Sequence, residues 1–187
     1  MTDRLVLLHG WGATHDDLIP LGELLAQSHG QELEVISLEA PEQHPSGFGR
    51  QWYGLFPPDW QAVPSAVTAL RARIEQLITE DCPLERTVLL GFSQGGAMAL
   101  DAGCQLPFAA VISCSGYPHP QWTPPGSHAP VLLLHGADDD VVPVDAVEEI
   151  WGRLQPDRRR RRVVAGGHTI HDEAIDAIRE MLREHLN

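Results

Sequence analysis

The stretch Gly91-Phe92-Ser93-Gln94-Gly95-Gly96 puts a serine between two glycines, each two residues away. An apolar run, residues 87–90, precedes it, and a helix-forming run, residues 97–100, follows. A strand entering and a helix leaving so tight a turn strain the serine backbone and expose its hydroxyl, which is the design of a nucleophile elbow. A side chain at Gly91 or Gly95 would collide with the turn. The chemistry such a serine can do is acyl transfer. A hydroxyl is a poor nucleophile at neutral pH, so Ser93 needs a base, a group to orient that base, and donors for a developing oxyanion.

The chain has 10 histidines, so position must select the base. Gly166-Gly167-His168-Thr169-Ile170 follows the last expected strand and precedes the last expected helix. A histidine on a glycine-rich loop at a strand's C-terminal edge can swing over the sheet to Ser93. His171 is the alternative, read as the start or cap of the final helix. The orienting acid is expected between serine and histidine in chain order. Asp138-Asp139-Asp140 stands there, just after the apolar residues 131–136. Three adjacent carboxylates repel one another, so only one is expected to turn inward, and spacing does not say which. Oxyanion donors are expected from the amides of Trp11, in the turn His9-Gly10-Trp11-Gly12, and of Gln94, at the start of the elbow helix. His9 and His135 each close a strand in a His-Gly pair and are read as shaping turns.

These side chains need a scaffold that brings the ends of several strands together. Six short apolar runs, residues 4–8, 33–38, 87–90, 109–114, 131–135 and 161–165, read as strands. Most are continuously apolar, as in strands covered by helices on both faces. Between them lie helical patterns. One begins at Asp16 or Asp17 and runs to 28. A second carries Ala66, Leu70, Ile74, Leu77 and Ile78 on one face. The others cover 94–104, 144–154 and 171–185. The alternation predicts an α/β protein with a mainly parallel sheet, and 187 residues predict one domain, 1–187. Residues 40–64 and 116–130 are irregular. The first holds five prolines and Phe48, Trp52, Tyr53, Phe56 and Trp60. Its aromatics imply an ordered loop, in which Trp52, Tyr53 and Phe56 either line an acyl pocket or pack the loop on the domain.

A net charge of −13 repels phosphate backbones and anionic membranes, so neither nucleic acid nor stable membrane association is expected. Cys82, Cys104 and Cys114 form no disulfide framework, which predicts a reducing, cytoplasmic setting. No metal-ligand spacing, leader or membrane-spanning run is read, and the chemistry requires no cofactor. The run Arg158–Arg162 reads as a solvated turn leading into a strand.

Together these pieces resemble the α/β-hydrolase superfamily, and within it the carboxylesterase, acyl-protein thioesterase and lysophospholipase family. The resemblance rests on Leu8-His9-Gly10-Trp11-Gly12, Arg50-Gln51-Trp52-Tyr53, the Gly91–Gly96 elbow and Ser115-Gly116-Tyr117. It extends to His135-Gly136-Ala137-Asp138-Asp139-Asp140-Val141-Val142-Pro143 and Gly167-His168-Thr169-Ile170. It implies Asp139 as the acid, His168 as the base and the Trp11 amide in the oxyanion hole. It also implies a six-stranded sheet of order 2-1-3-4-5-6 without a lid domain, with the site where the order reverses. Gly54 departs from an aspartate common in the family. The activity implied is hydrolysis of small to medium carboxylic esters or thioesters, with lysophospholipase or acyl-protein thioesterase as the alternatives. The same triad could cut amides, lactones or peracids, and a non-catalytic ligand-binding module is the reading of another class. The expected partner is a small-molecule ester or thioester, and a homodimer is allowed.

Overall fold

The computed structural model describes residues 1–186. Six parallel strands form its centre: β1 (Asp3–Leu8), β2 (Leu33–Leu38), β3 (Thr87–Phe92), β4 (Ala110–Cys114), β5 (Val131–Gly136) and β6 (Arg159–Val164). They lie in the order β2-β1-β3-β4-β5-β6, the order the family resemblance implies. Successive side chains of a strand point to opposite faces. Leu5, Leu7, Val88, Leu90, Ile112, Leu132 and Leu134 therefore meet α1 (Ile19–Ser28) and α5 (Asp172–His185). Val6, Leu8, Leu89, Val111, Val131 and Leu133 meet α2 (Val63–Glu75), α3 (Gln94–Gly103) and α4 (Asp145–Arg153). Both faces of the sheet are thus covered, which explains why its strands read as unbroken apolar runs.

Three elements differ from the sequence reading. Neither Asp16 nor Asp17 caps α1: a 3-10 turn over His15–Leu18 comes first, and α1 starts at Ile19 with Pro20 in its first turn. A proline there lacks only an amide that would have no helical partner. Helix α2 begins inside the proline-rich stretch, with Pro64 in its first turn. Its buried stripe is Val63, Val67, Leu70 and Ile74, while Ile78 lies beyond its end and is 46% exposed. Finally, β6 starts at Arg159, so the arginine run is the strand itself.

That run suits an edge strand. Alternation sends Arg159 and Arg161 over the ring of Trp151, at 4.2 and 4.6 Å. Arg160 and Arg162 turn the other way, to Glu184 and Glu180 of α5. Charge on an edge strand opposes pairing with another sheet.

The stretch 40–64 is ordered by a short antiparallel ribbon, Glu42–Gln43 with Arg50–Gln51. The Gly12 amide donates to Arg50 O at 2.9 Å and the Arg50 amide donates to Ala13 O at 2.8 Å. The loop is thereby tied to the turn after β1. No described helix is long and apolar enough to cross a membrane.

Leu89 is fully buried in the central strand, whereas Phe48 is 84% exposed. Leu89→Ala is expected to lower the unfolding free energy by about 2–5 kcal/mol, and Phe48→Ala by less than about 0.5 kcal/mol. Urea unfolding of the two variants measures both.

Candidate active site

Strand β3 ends at Phe92, α3 begins at Gln94, and Ser93 between them has φ 55° and ψ −117°. A non-glycine residue in that region carries strain of about 1–3 kcal/mol, so its surroundings must hold it. The Ser93 amide donates to Cys114 O at 2.8 Å, and Ser93 O accepts from the Ala97 amide at 3.0 Å. A Cβ at Gly91 would overlap the Gly95 carbonyl, and one at Gly95 would overlap the Leu8 carbonyl. The missing side chains let the elbow sit directly against the end of β1, beside the turn that carries Trp11.

Loops after β5 and β6 complete the constellation. His168 Nε2 lies 3.0 Å from Ser93 Oγ, and His168 Nδ1 lies 2.7 Å from Asp139 Oδ2. Asp139 Oδ1 accepts from the amides of Val141 and Val142 at 3.0 and 2.8 Å. His135 Nε2 donates to Val142 O at 2.8 Å and stands 3.4 Å from Asp139 Oδ2. Burial alone would raise the Asp139 pKa. The hydrogen bonds from His168 and from the Val142 and Val141 amides outweigh it, and the carboxyl is held below its ordinary value. Asp139 is therefore a fixed, ionised acceptor for the Nδ1 proton. Asp138 and Asp140 take no part, and the Asp138 carboxylate instead accepts from the Gly166 amide at 3.3 Å. His171 reaches only the Gly167 carbonyl, at 3.2 Å.

Among the described residues, the amides of Trp11 and Gln94 donate to no protein acceptor. The Gln94 side chain is buried and spans to the ordered loop: Oε1 accepts from the Trp52 amide at 3.0 Å and Nε2 donates to Tyr53 O at 2.8 Å. Trp52 Nε1 in turn donates to His9 O at 2.9 Å. The His9 ring closes the turn, with Nδ1 donating to Gly10 O at 2.8 Å and Nε2 accepting from the Ala40 amide at 3.0 Å. Burial of that ring lowers its pKa, which keeps Nε2 free to accept.

Ser93 and His168 lie in a cleft of about 640 Å³, walled by Trp11, Leu55, Phe56, Trp60, Tyr117 and Val141 among others. Phe56 stands in that wall, its ring 5.0 Å from the ring of Trp11. Trp52 and Tyr53 do not. Both are buried in the core behind the wall, because Gln94 draws their backbone inward. The Tyr53 hydroxyl bonds Tyr117 Oη at 2.6 Å and His119 Nε2 at 3.0 Å, and so props the Tyr117 ring from behind. The sequence reading assigned no role to Trp60, Tyr117 or the Gln94 side chain. The signals available were the tripeptide Ser115-Gly116-Tyr117 and a glutamine placed directly after the serine. No group of described residues is arranged to hold a metal ion.

A parallel sheet of order 2-1-3-4-5-6, with a strained serine at the end of its third strand, defines an α/β-hydrolase of the serine-hydrolase class. Residues 1–186 match the family model described as phospholipase/carboxylesterase, and the chain belongs to that family. It is similar to a solved esterase, PE8, at 33% identity and a TM-score of 0.88, covering 98% of this chain and 93% of that one. Among curated proteins, an acyl-protein thioesterase 1 of Yarrowia lipolytica is 27% identical over 176 residues, 83% of this chain and 75% of the relative. An acyl-protein thioesterase 1 homolog 2 of Dictyostelium discoideum is 35% identical over 104 residues, 51% of this chain. That match spans 44% of the relative's own length. The family makes this protein a carboxylesterase-type hydrolase.

The lowered Asp139 pKa fixes the sign of an acid effect. A carboxyl with a depressed folded pKa contributes stability above its unfolded value, about 3.9, and loses it as pH falls through the folded value. Below about pH 4 the wild type is expected to lose stability relative to Asp139→Asn, with no such relative loss between pH 5 and pH 7. Urea midpoints measured across that range for both proteins check it.

Proposed function

We propose that this protein hydrolyses small to medium acyl esters and thioesters through an acyl-enzyme on Ser93, with His168 as base and Asp139 as its orienting acid. The observation that carries the reading is the unbroken chain Ser93 Oγ–His168–Asp139 opening into a cleft with largely apolar walls. His168 Nε2 accepts the serine proton as Oγ attacks the substrate carbonyl. Asp139 keeps the other ring proton on Nδ1 and stabilises the imidazolium that forms. The free amides of Trp11 and Gln94 are the donors offered to the oxyanion, and their positions at the strand-end turn and the helix start suit negative charge. His168 then protonates the departing alcohol or thiol, and activates the water that releases the acid.

Phe56, with Trp11, Leu55 and Trp60, supplies the apolar walls for the substrate. The relatives named acyl-protein thioesterase support the thioester half of the reading. Three free, buried cysteines suit a reducing cytoplasm, and the charge of −13 argues against nucleic acid as a partner. A chain retaining the full constellation is better read as an enzyme than as a binding module.

With p-nitrophenyl acetate and butyrate as substrates, Ser93→Ala is expected to abolish turnover. Asp139→Asn is expected to lower kcat by about 10³–10⁴-fold, because the wrong tautomer of His168 is then favoured. Asp138→Asn and Asp140→Asn should remain within about threefold of wild type. Wild-type turnover by Ser93→Ala would overturn the nucleophile. A large loss in Asp138→Asn or Asp140→Asn, with Asp139→Asn unaffected, would overturn the acid.

A further inference from the structure

The catalytic cleft is lined by neither lysine nor arginine. The chain has no lysine, and none of its 13 arginines lines the cleft. Five occupy the stretch 158–162 at the far edge of the sheet. Arg153, on the same helix as Asp145 and Glu149, is spent on Glu149 and on the Trp122 carbonyl. Three carboxylates do line the cleft: Asp17, Asp145 and Glu149. Asp145 and Glu149 are four residues apart on α4 and so share one face of it. All three are exposed, which puts them at the mouth together with Phe56 and Val141, while Ser93 lies deeper.

The walls between mouth and nucleophile carry aromatic rings, from Trp11, Phe56, Trp60 and Tyr117. Tyr117 is the one phenol among them, and its hydroxyl is engaged by Tyr53 Oη at 2.6 Å. The Tyr53 hydroxyl lies 3.0 Å from His119 Nε2, and His119 Nδ1 lies 2.8 Å from Asp101 Oδ2. That wall therefore offers the cleft a ring face, its hydroxyl being tied to Tyr53. Aromatic faces beside carboxylates attract organic cations, and a net charge of −13 deepens the negative potential focused in a low-dielectric cleft.

We propose that the cleft selects esters and thioesters whose leaving group carries an ammonium cation, with Asp145 and Glu149 at the mouth as the specificity determinants. The inference rests on the esterase reading and deepens it. The apolar interior takes the acyl group, and the leaving group faces solvent past the carboxylates. Anionic leaving groups meet the same carboxylates, of which Glu149 is offset by Arg153 while Asp145 and Asp17 are not.

The test uses three thioesters of matched shape: acetylthiocholine, its neutral carbon isostere S-(3,3-dimethylbutyl) thioacetate, and the anionic S-acetyl-3-mercaptopropanesulfonate. Thiol release gives kcat/KM for each, and the neutral compound is the reference within each protein. In low-salt buffer the cation is expected to exceed the anion by about tenfold or more, narrowing to about threefold or less in 0.5 M NaCl as the charges are screened. The double variant Asp145→Asn/Glu149→Gln is expected to collapse the low-salt ratio to about the high-salt value. Equal Ser93-dependent hydrolysis of all three, or a ratio untouched by the double variant, would overturn this inference and leave the esterase reading standing. If none is hydrolysed in a Ser93-dependent way, and p-nitrophenyl acetate is not either, the esterase reading fails and this inference with it.

Discussion

The left-handed backbone of Ser93 is the constraint on which the rest of the site depends. A strained residue persists only where its surroundings over-determine it. Here the Ser93 amide is held by Cys114 O, its carbonyl is held by the first turn of α3, and Gly91 and Gly95 allow backbone to touch backbone around it. Because Gly95 rests on the Leu8 carbonyl, the elbow cannot form without the end of β1 beside it. The same contact brings the Trp11 turn next to the serine. One local strain thus couples three strands, β1, β3 and β4, and sets where a substrate can meet the hydroxyl.

Gln94 extends that coupling sideways. As the first residue of α3 its amide is one of the helix's unpaired donors, while its side chain clasps the backbone of Trp52 and Tyr53. A buried amide with both ends satisfied is rigid, and removing either partner leaves an unsatisfied polar group in the core. The ordered loop is therefore fixed to the elbow. Trp52 and Tyr53 serve as its anchors, and the neighbouring Phe56 and Trp60 are left to form the cleft wall.

Much of this was legible in the chain, and the exceptions have physical reasons. The elbow, the His168 loop and the acidic loop each announce themselves through glycines at strand ends, and the continuous apolar runs give the strand count and the two-sided cover of the sheet. The choice among Asp138, Asp139 and Asp140 was not in the spacing. It depends on a loop closure in which Asp139 Oδ1 bridges the Val141 and Val142 amides and turns Oδ2 to His168, and only the resemblance to a family had singled that residue out. Residue type alone could not separate anchors from walls among the aromatics of 40–64, since two tryptophans take the two fates, Trp52 buried and Trp60 in the wall. The start of β6 was masked by arginines, because a charged edge strand looks like a solvated turn. The start of α2 was masked by Pro64, which reads as a breaker but sits where a helix tolerates it.

The central claim is that the strained serine is the one side chain the site has activated. Intact-mass analysis after treatment with diisopropyl fluorophosphate, followed by peptide mapping, tests it most directly. The result expected is one phosphoryl adduct per chain, located on Ser93, with esterase activity lost in proportion to labelling and no adduct on Ser93→Ala. A stoichiometric adduct on another residue, or full activity in protein labelled at Ser93, would contradict it.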